Sequence, residues 1–517
     1  MPRSTWIAVV LLSLTLIGSL ATTGGAAWYL RSGAYRDYCS RVLSETLGLP
    51  AEVGSVTPRS LQTRQFNNVR VWLPDRRGIA FRCRFALYEN RPSREEPEAY
   101  ALRLSHGECE ISSRTWLAAD YRRVVESGLR PGFAPDGPTE VAFTGMDLVV
   151  AHEEFRMRLA GAAGQVRFEN EHAATAVIFC RDFNGHETRD PVTLTAAFSP
   201  ADGAVRIDRL ELRVPQIPLG IAGVGSLFGA SVASGTFSGR LIYTEETASP
   251  LVRRLEVSGT CTDVRLAEFA SPFLGPGVQG HCPELELIDL AFVDRMPTHL
   301  RFRAVIRDAV LGQLLAPLGF GELGGHTVVQ IRDAEFNSEG IMRVSLSAEC
   351  RGASLQGLSA GLGLGRASGR LNLSIADLRI ENNRVVAMDA ELRVDESAAE
   401  ERWVDGELLT TVAQRVLEGG LPGWLSLGPG TRVAYKRLGA RLEVRDEVLR
   451  VYGTHGPRSR GLLSVDFLGR EVVVASEPEG PIDLRPALDE ARRRLAEQFL
   501  PHWRERLIPP DAPANPE

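Results

Sequence analysis

Apolar and polar side chains alternate with a period of two along most of this chain. Ile79, Phe81, Cys83 and Phe85 are interleaved with Arg82 and Arg84, and Phe155, Met157 and Leu159 with Arg156 and Arg158. In 300–307, Leu300, Phe302, Ala304 and Ile306 fall on one side and Arg301, Arg303 and Arg307 on the other. In 342–350, Met342, Val344, Leu346, Ala348 and Cys350 oppose Arg343, Ser345, Ser347 and Glu349. Neighbouring side chains of a strand point to opposite faces, so this pattern predicts antiparallel hairpins with one apolar and one polar face. A helical period is confined to a few segments. Ala34–Leu47 carries Tyr35, Tyr38, Val42, Leu43 and Leu47 on one side and stops at Gly48 and Pro50. Further helices are expected at Arg114–Ser127, capped by Ser112 or Ser113, at Asp405–Leu417, and at Pro486–Leu507 with Leu488, Leu495 and Phe499 as its apolar members.

From about residue 215 the pattern repeats. A glycine opens a strand at Gly235, Gly280, Gly325 and Gly369, at intervals of 45, 45 and 44. A short apolar piece punctuated by glycine or proline precedes each one (GVGSLFGA, FASPFLGPG, LLAPLGFGELG, LSAGLGLG), and a second strand follows (LVRRLEVSG, THLRFRAVIRD, IMRVSLSAEC, RVVAMDAELRV). A looser fifth copy begins near Gly430. The unit is a short apolar helix or loop plus a hairpin; one copy cannot bury its apolar face alone, whereas stacked copies can. Length by itself suggests about three domains, but the repeat favours a single elongated β body. Its divisions fall at 1–31, 32–214, 215–400, 401–485 and 486–517: an anchor, a first β region, four repeats, a second β region, and a helix with a polar tail.

Composition narrows the class. With 44% hydrophobic and 24% charged residues the chain is globular, and a net charge of -6 argues against nucleic acid as a partner. Residues 6–30 carry no charge and are long enough to cross a hydrocarbon core of about 30 Å. Trp6, Trp28 and Tyr29 mark the two ends, where amphipathic rings prefer the interface. A cleaved signal peptide, with its apolar core at 7–17 and a small-residue site at Gly25-Ala26-Ala27, is the alternative; the length and the terminal aromatics favour an uncleaved transmembrane helix. Either one exports the remainder. Seven cysteines at irregular spacing, with no C-x-x-C, do not form a disulfide framework, although Cys83–Cys109 or Cys261–Cys282 could pair. Buried small hydrophobes are the simpler account of them.

The membrane segment, the short helix running into LGLPAEVGSVTPRSLQTRQFNNVRVWLPD, and repeats such as VRLAEFASPFLGPGVQG-HCPELELIDLAF resemble the AsmA-like family, as do the later LGARLEVRDEVLRVYGTHG hairpins. The resemblance covers most of residues 6–480 and rests on small, degenerate features. It implies a protein anchored in the inner membrane and facing the periplasm, with a curved, groove-shaped β-sheet. It also implies that the chain binds and transfers phospholipids or other acyl lipids in support of outer-membrane integrity, with an outer-membrane or periplasmic protein as a further partner. The residues expected to line the groove are Leu255, Val257, Phe302, Ile306, Met342, Val344, Leu346 and Met388. The alternative is a structural envelope protein with the same sheet packed shut.

Enzymatic signatures are weak. Gly357-Leu358-Ser359-Ala360-Gly361 matches G-x-S-x-G, but a nucleophile elbow follows a buried parallel strand and opens a helix. RGASLQ does not read as a strand, and Gly363 and Gly365 weaken a following helix. The glycine runs complete no phosphate-binding fingerprint, and the sole lysine, Lys436, is not in a Walker motif. The nine histidines lack metal-site spacing, and His281 and His326 occupy equivalent repeat positions. No catalytic residue, metal or cofactor is therefore expected.

Overall fold

The computed structural model describes residues 28–47, 49–60, 63–72, 79–90, 100–112, 140–151, 156–170, 173–201, 204–222, 234–246, 252–268, 277–294, 296–316, 320–338, 340–361, 363, 365–396, 401–410, 431–467, 470–486, 488–489 and 493. The chain is mainly β and separates into two compact units. The first comprises residues 1–215 with 241–252, and the second 216–240 with 253–517.

In the first unit a helix, α1 (Gly33–Leu47), leads into β1 (Ala51–Pro58), β2 (Thr63–Trp72), β3 (Ile79–Asn90), β4 (Tyr100–Ser112), β5 (Glu140–Ala151), β6 (Arg156–Asn170), β7 (Ala173–Phe183), β8 (His186–Ala201) and β9 (Ala204–Pro218). The Ser32 hydroxyl accepts from the Tyr35 amide and caps α1. The helix then docks on β1 through two serines. Ser40 accepts from the Val53 amide at 3.0 Å and Ser44 from the Ala51 amide at 2.9 Å, with Tyr35 and Cys39 buried beside them. The strands pair in chain order. All of these pairs are antiparallel except β4–β5, which is parallel, so the expected purely antiparallel sheet is corrected to a mixed one. The physical reason is the long connection 113–139: a parallel partner needs a crossover of a dozen or more residues, and this is the only intervening segment of such length in the unit.

The second unit holds β10 (Thr236–Glu246, with its second half in the first unit), β11 (Val252–Arg265), β12 (His281–Val293), β13 (Met296–Val310), β14 (Gly324–Asn337), β15 (Gly340–Ser354), β16 (Ala367–Ser368), β17 (Arg370–Glu381), β18 (Arg384–Val394), β19 (Trp403–Asp405), β20 (Arg432–Arg445), β21 (Val448–Gly453), β22 (Gly461–Phe467), β23 (Arg470–Ser476) and β24 (Ile482–Asp483). Short helices α2 (Leu219–Ala222), α3 (Leu311–Leu314) and α4 (Leu355–Gly361) follow alternate strands. Hairpin turns use residues that tolerate positive φ. Asn382-Asn383 lies at 49° and 63°, and Asp446-Glu447 at 50° and 66°. Mirror-image two-residue turns of this kind match the twist of the strands they join.

The repeat glycines occupy equivalent places. Gly235, Gly280, Gly325 and Gly369 stand at strand starts with φ of 86°, 121°, 78° and 144°, values that L side chains rarely adopt. A leucine opens the short helix before each: Leu219, Leu266, Leu311 and Leu355, all buried. The Leu219, Leu266 and Leu355 amides donate to the carbonyls of Gly235, Gly280 and Gly369 at 3.1, 2.9 and 3.0 Å. The looser fifth copy uses the same clasp, from the Gly406 amide to the Thr431 carbonyl at 2.9 Å.

Among the described residues no helix is long and apolar enough to cross a membrane. The expected membrane segment, 6–30, lies almost wholly outside those residues. The helix expected at 114–127 lies outside them entirely, as do most of 486–507 and the second half of 405–417, of which Gly406–Thr410 is helical. All seven cysteines are free thiols, so neither candidate disulfide forms. Burial pushes the Cys83 and Cys261 thiols up to about 12, as suits small hydrophobes packed in the sheet.

Candidate functional site

Strand pairing in the second unit brings apolar positions into rows that cross the strands. One row runs Leu285, Ala304, Ile331, Leu346, Leu378, Met388, Val444, Leu449. Its neighbours are Leu287, Phe302, Ala334, Val344, Ile380 and Ile306, Val329, Ala348, Ile375, Ala390, Leu442. Seven of the eight expected lining residues share one apolar face: Leu255, Val257, Phe302, Ile306, Val344, Leu346 and Met388. Phe302 stacks on Phe336 with ring centroids 6.2 Å apart. Val257 starts a separate row with Leu290, Leu300 and Phe336, and Leu255 pairs with Phe292.

Met342 is the exception. Phe336 pairs with Ile341 and Glu335 with Arg343, so Met342 falls at a bulge and Ile341 takes its place in the row. Its side chain is exposed, and its sulfur accepts from Asn337 Nδ2 at 3.1 Å. Met342 is itself the extra residue, so the parity reverses beyond it and Ile341, which alternation from Val344 puts on the other face, stands in the row.

Burial changes along these strands. At the ends that carry α3 and α4, Cys350, Ala353, Leu355, Leu371, Val394, Val404, Tyr435, Leu463 and Val465 form one packed cluster. Gly369 belongs here: a Cβ on it would come within 2.2 Å of the Tyr435 hydroxyl, which donates to the Ser368 carbonyl at 2.9 Å. Burial pushes that phenol up to about 12. Away from this end the rows mix half-buried and buried positions. Phe302, Ile331, Leu346, Ile375, Leu378, Met388 and Leu442 keep partial exposure, as does Ile306 where it packs against the buried Leu266, Val278 and Ala309, whereas Leu285, Leu287, Ala304, Ala334, Val344, Ala390 and Val444 are buried, and Val257 is buried at 0%.

The opposite face is charged and paired. Asp289, Arg301, Glu335, Arg343 and Glu381 stand in register with alternating sign. Arg301 donates to both oxygens of Asp333 at 2.9 and 3.1 Å, His299 bridges Asp289 and Glu335, and Arg332 and Arg379 meet Asp377. Asp289, Asp333 and Asp377 recur every 44 residues, each just after the doubled residue of a β-bulge. The signal was present in LID, IRD and IAD at equal offsets; alternation counting passes over it because a bulge breaks the period.

Ser359 is placed differently from expectation. RGAS is the end of β15 and a helix, α4, does follow it, because these segments sit where every repeat turns from strand to helix. The strand is antiparallel to both neighbours, and Ser359 lies inside α4, 3% exposed, donating to the Gln356 carbonyl at 3.1 Å. An elbow nucleophile sits instead on the exposed turn between strand and helix. His281 and His326 follow the positive-φ glycines of their copies, and His281 lies 3.6 Å from Asp308.

No protein-family model, curated protein or solved structure matches the chain.

Proposed function

We propose that this is an AsmA-like, inner-membrane-anchored envelope protein, periplasmic in its bulk, that holds phospholipid acyl chains on the apolar face of the second unit and passes them between membranes. The supporting observation is the half-buried state of Ile331, Leu346, Leu378 and Met388 in one row across β14, β15, β17 and β18, while β15, β17 and β18 enter a packed cluster at their other ends. A row of apolar side chains left partly open over many strands is a binding surface or a liability. Acyl chains suit it because they are extended, apolar and need no hydrogen bonds. The polar face opposite carries its own ion pairs, Arg301 with Asp333 and Arg332 with Asp377 among them. The competing reading, a structural envelope protein with a closed core, draws on the full burial of Val257 and the packed end cluster.

Leu346→Glu separates the two. Placing an unpaired carboxylate among acyl chains costs several kcal/mol. In the lipid-binding case the variant keeps its thermal unfolding within a few degrees of wild type, loses at least ten-fold of its co-purifying phospholipid, and fails to complement. Wild-type protein that carries no lipid, or a variant that unfolds outright, would sink the proposal. Photo-crosslinkers at Phe302 and Met388 supply a second readout, in which lipid adducts are expected in intact cells.

A further inference from the structure

The polar face of the first unit holds a second candidate site. Strands β1, β2, β3 and β5 each step their buried positions by three at the same level: Val53 to Val56, Phe66 to Val69, Cys83 to Ala86 and Phe143 to Met146. In register, Val53, Val69, Cys83, Gly107 and Met146 form one row and Val56, Phe66, Ala86, Leu104 and Phe143 the next. Two residues per strand lie between the rows where regular alternation would put one. The result is a crease. Asn68, His106 and Gly145 take φ of 53°, 53° and 63° there. For His106 this is a costly conformation, about 1–2 kcal/mol for an L residue. The backbones also approach closely: a Cβ on Gly107 would lie 2.0 Å from the Arg82 carbonyl oxygen.

A cavity of about 440 Å³ opens on the crease, lined by Asn68, Arg70, Arg82, Arg84, His106 and Asp147 among others. Its charges do not balance. Arg70 stands directly opposite Arg82, with Arg84 two residues further on. Like charges in that relation repel. Glu108 binds Arg82 at 2.8 Å, and Asp147 is engaged by Arg158 at 3.4 Å and the Gly161 amide at 2.9 Å. Glu52 is in register with Arg70, but among the described residues neither Arg70 nor Arg84 forms an ion pair. Arg84 rests over the Phe85 ring at 5.1 Å, which holds its guanidinium in place.

We propose that this crease binds a phosphate-class oxyanion, with Arg70 and Arg84 as its charged ligands and the Asn68 amide and His106 imidazole as further donors. A planar guanidinium fork matches the geometry of phosphate oxygens. A bound anion would also relieve the repulsion between Arg70 and Arg82. The volume lies in the range of small-molecule sites, about 300–1,000 Å³, and so admits a phosphate esterified to a small alcohol. The site is independent of the acyl-chain proposal, because its residues lie on the first unit and its test uses water-soluble ligands without acyl chains.

The test is calorimetric titration of the full-length protein in detergent with inorganic phosphate, glycerol 3-phosphate and glycerophosphoethanolamine. Saturable binding of the first two identifies a free phosphate or monoester as the ligand. Preference for the third identifies a phospholipid headgroup. In either case Arg70→Gln/Arg84→Gln should weaken binding at least ten-fold, Arg84→Lys should weaken it less, and Arg254→Gln should leave it unchanged. Thermal shifts provide a second readout: ligand should raise the melting temperature of wild type but not of the folded double variant. No saturable binding of any of the three, or equal binding by wild type and the double variant, overturns the proposal.

Discussion

The polar faces of the two units solve the same electrostatic problem differently. On the second unit Asp289, Arg301, Glu335, Arg343 and Glu381 alternate in sign across five strands. Even where acids are in register there, as with Asp377, Asp389 and Glu443, each one has an arginine: Arg332 and Arg379, Arg441, and Arg445. On the first unit Arg70 faces Arg82, and Arg70 and Arg84 lack such a partner among the described residues. The backbone differs in parallel. Bulges on the second unit double one residue in one strand and aim an aspartate at a basic partner, whereas the first unit doubles a residue in successive strands at one level and folds a crease. A balanced face needs no ligand; a creased face with surplus guanidinium groups gains from one.

The largest effect that would break this contrast comes from the backbone. Gly107→Val should destabilise the protein by about 3 kcal/mol or more, because its Cβ would overlap the Arg82 carbonyl and the Cys83 Cα. Gly325→Ala in the second unit, at φ 78° with the Cys350 sulfur 2.7 Å from the new Cβ, should cost less, about 1–3 kcal/mol. Denaturant unfolding of both variants checks the order; equal costs would mean that the crease is no tighter than the repeat turns.

Acid should then act on the two units at different pH. His455 in the second unit is buried, its Nε2 has no hydrogen-bond partner among the described residues, and desolvation lowers its pKa, opposed by Glu471 and Glu396 and assisted by Arg437. Because the folded value lies below the ordinary 6.5, the unfolded chain binds the extra proton, and stability falls as pH drops below about 6.5. Glu211 in the first unit is held below its ordinary 4.5 chiefly by its hydrogen bond from Arg213, with Arg209 adding to it, so its contribution is kept above 4.5 and lost below. Hydrogen exchange between pH 7 and 4 should loosen the second unit first, and His455→Gln should remove that earlier step.

The smallest effects concern the charges themselves and differ in sign. Asp333→Asn leaves Arg301 and Arg343 without their carboxylate and should cost roughly 0.5–1 kcal/mol. Arg70→Gln removes a like-charge neighbour and should be neutral or stabilising by a few tenths of a kcal/mol in the absence of anion. Both differences should shrink in high salt. Thermal melts at low and high ionic strength measure them; a destabilised Arg70→Gln would mean that Arg70 has a partner in the folded protein.

The sequence by itself determined the strand content, the two-faced hairpins and the repeat, because these follow from local periodicity and from glycine at positive φ. The 45, 45 and 44 spacing placed Gly235, Gly280, Gly325 and Gly369 correctly before any pairing was known. Most of the apolar face was legible for the same reason, since alternation survives wherever a strand stays regular. What depends on partners was not legible. The parallel β4–β5 pair, the displacement of Met342 by Ile341, the helix that follows RGAS, and the charge state of the crease all turn on which residue of another strand stands opposite. A single inserted residue reverses the face of everything beyond it. Alternation within one strand records that reversal only as a break in period, and only the neighbouring strands decide whether the break is an isolated bulge, as at Asp333, or one step of a crease that runs from Val53 to Met146.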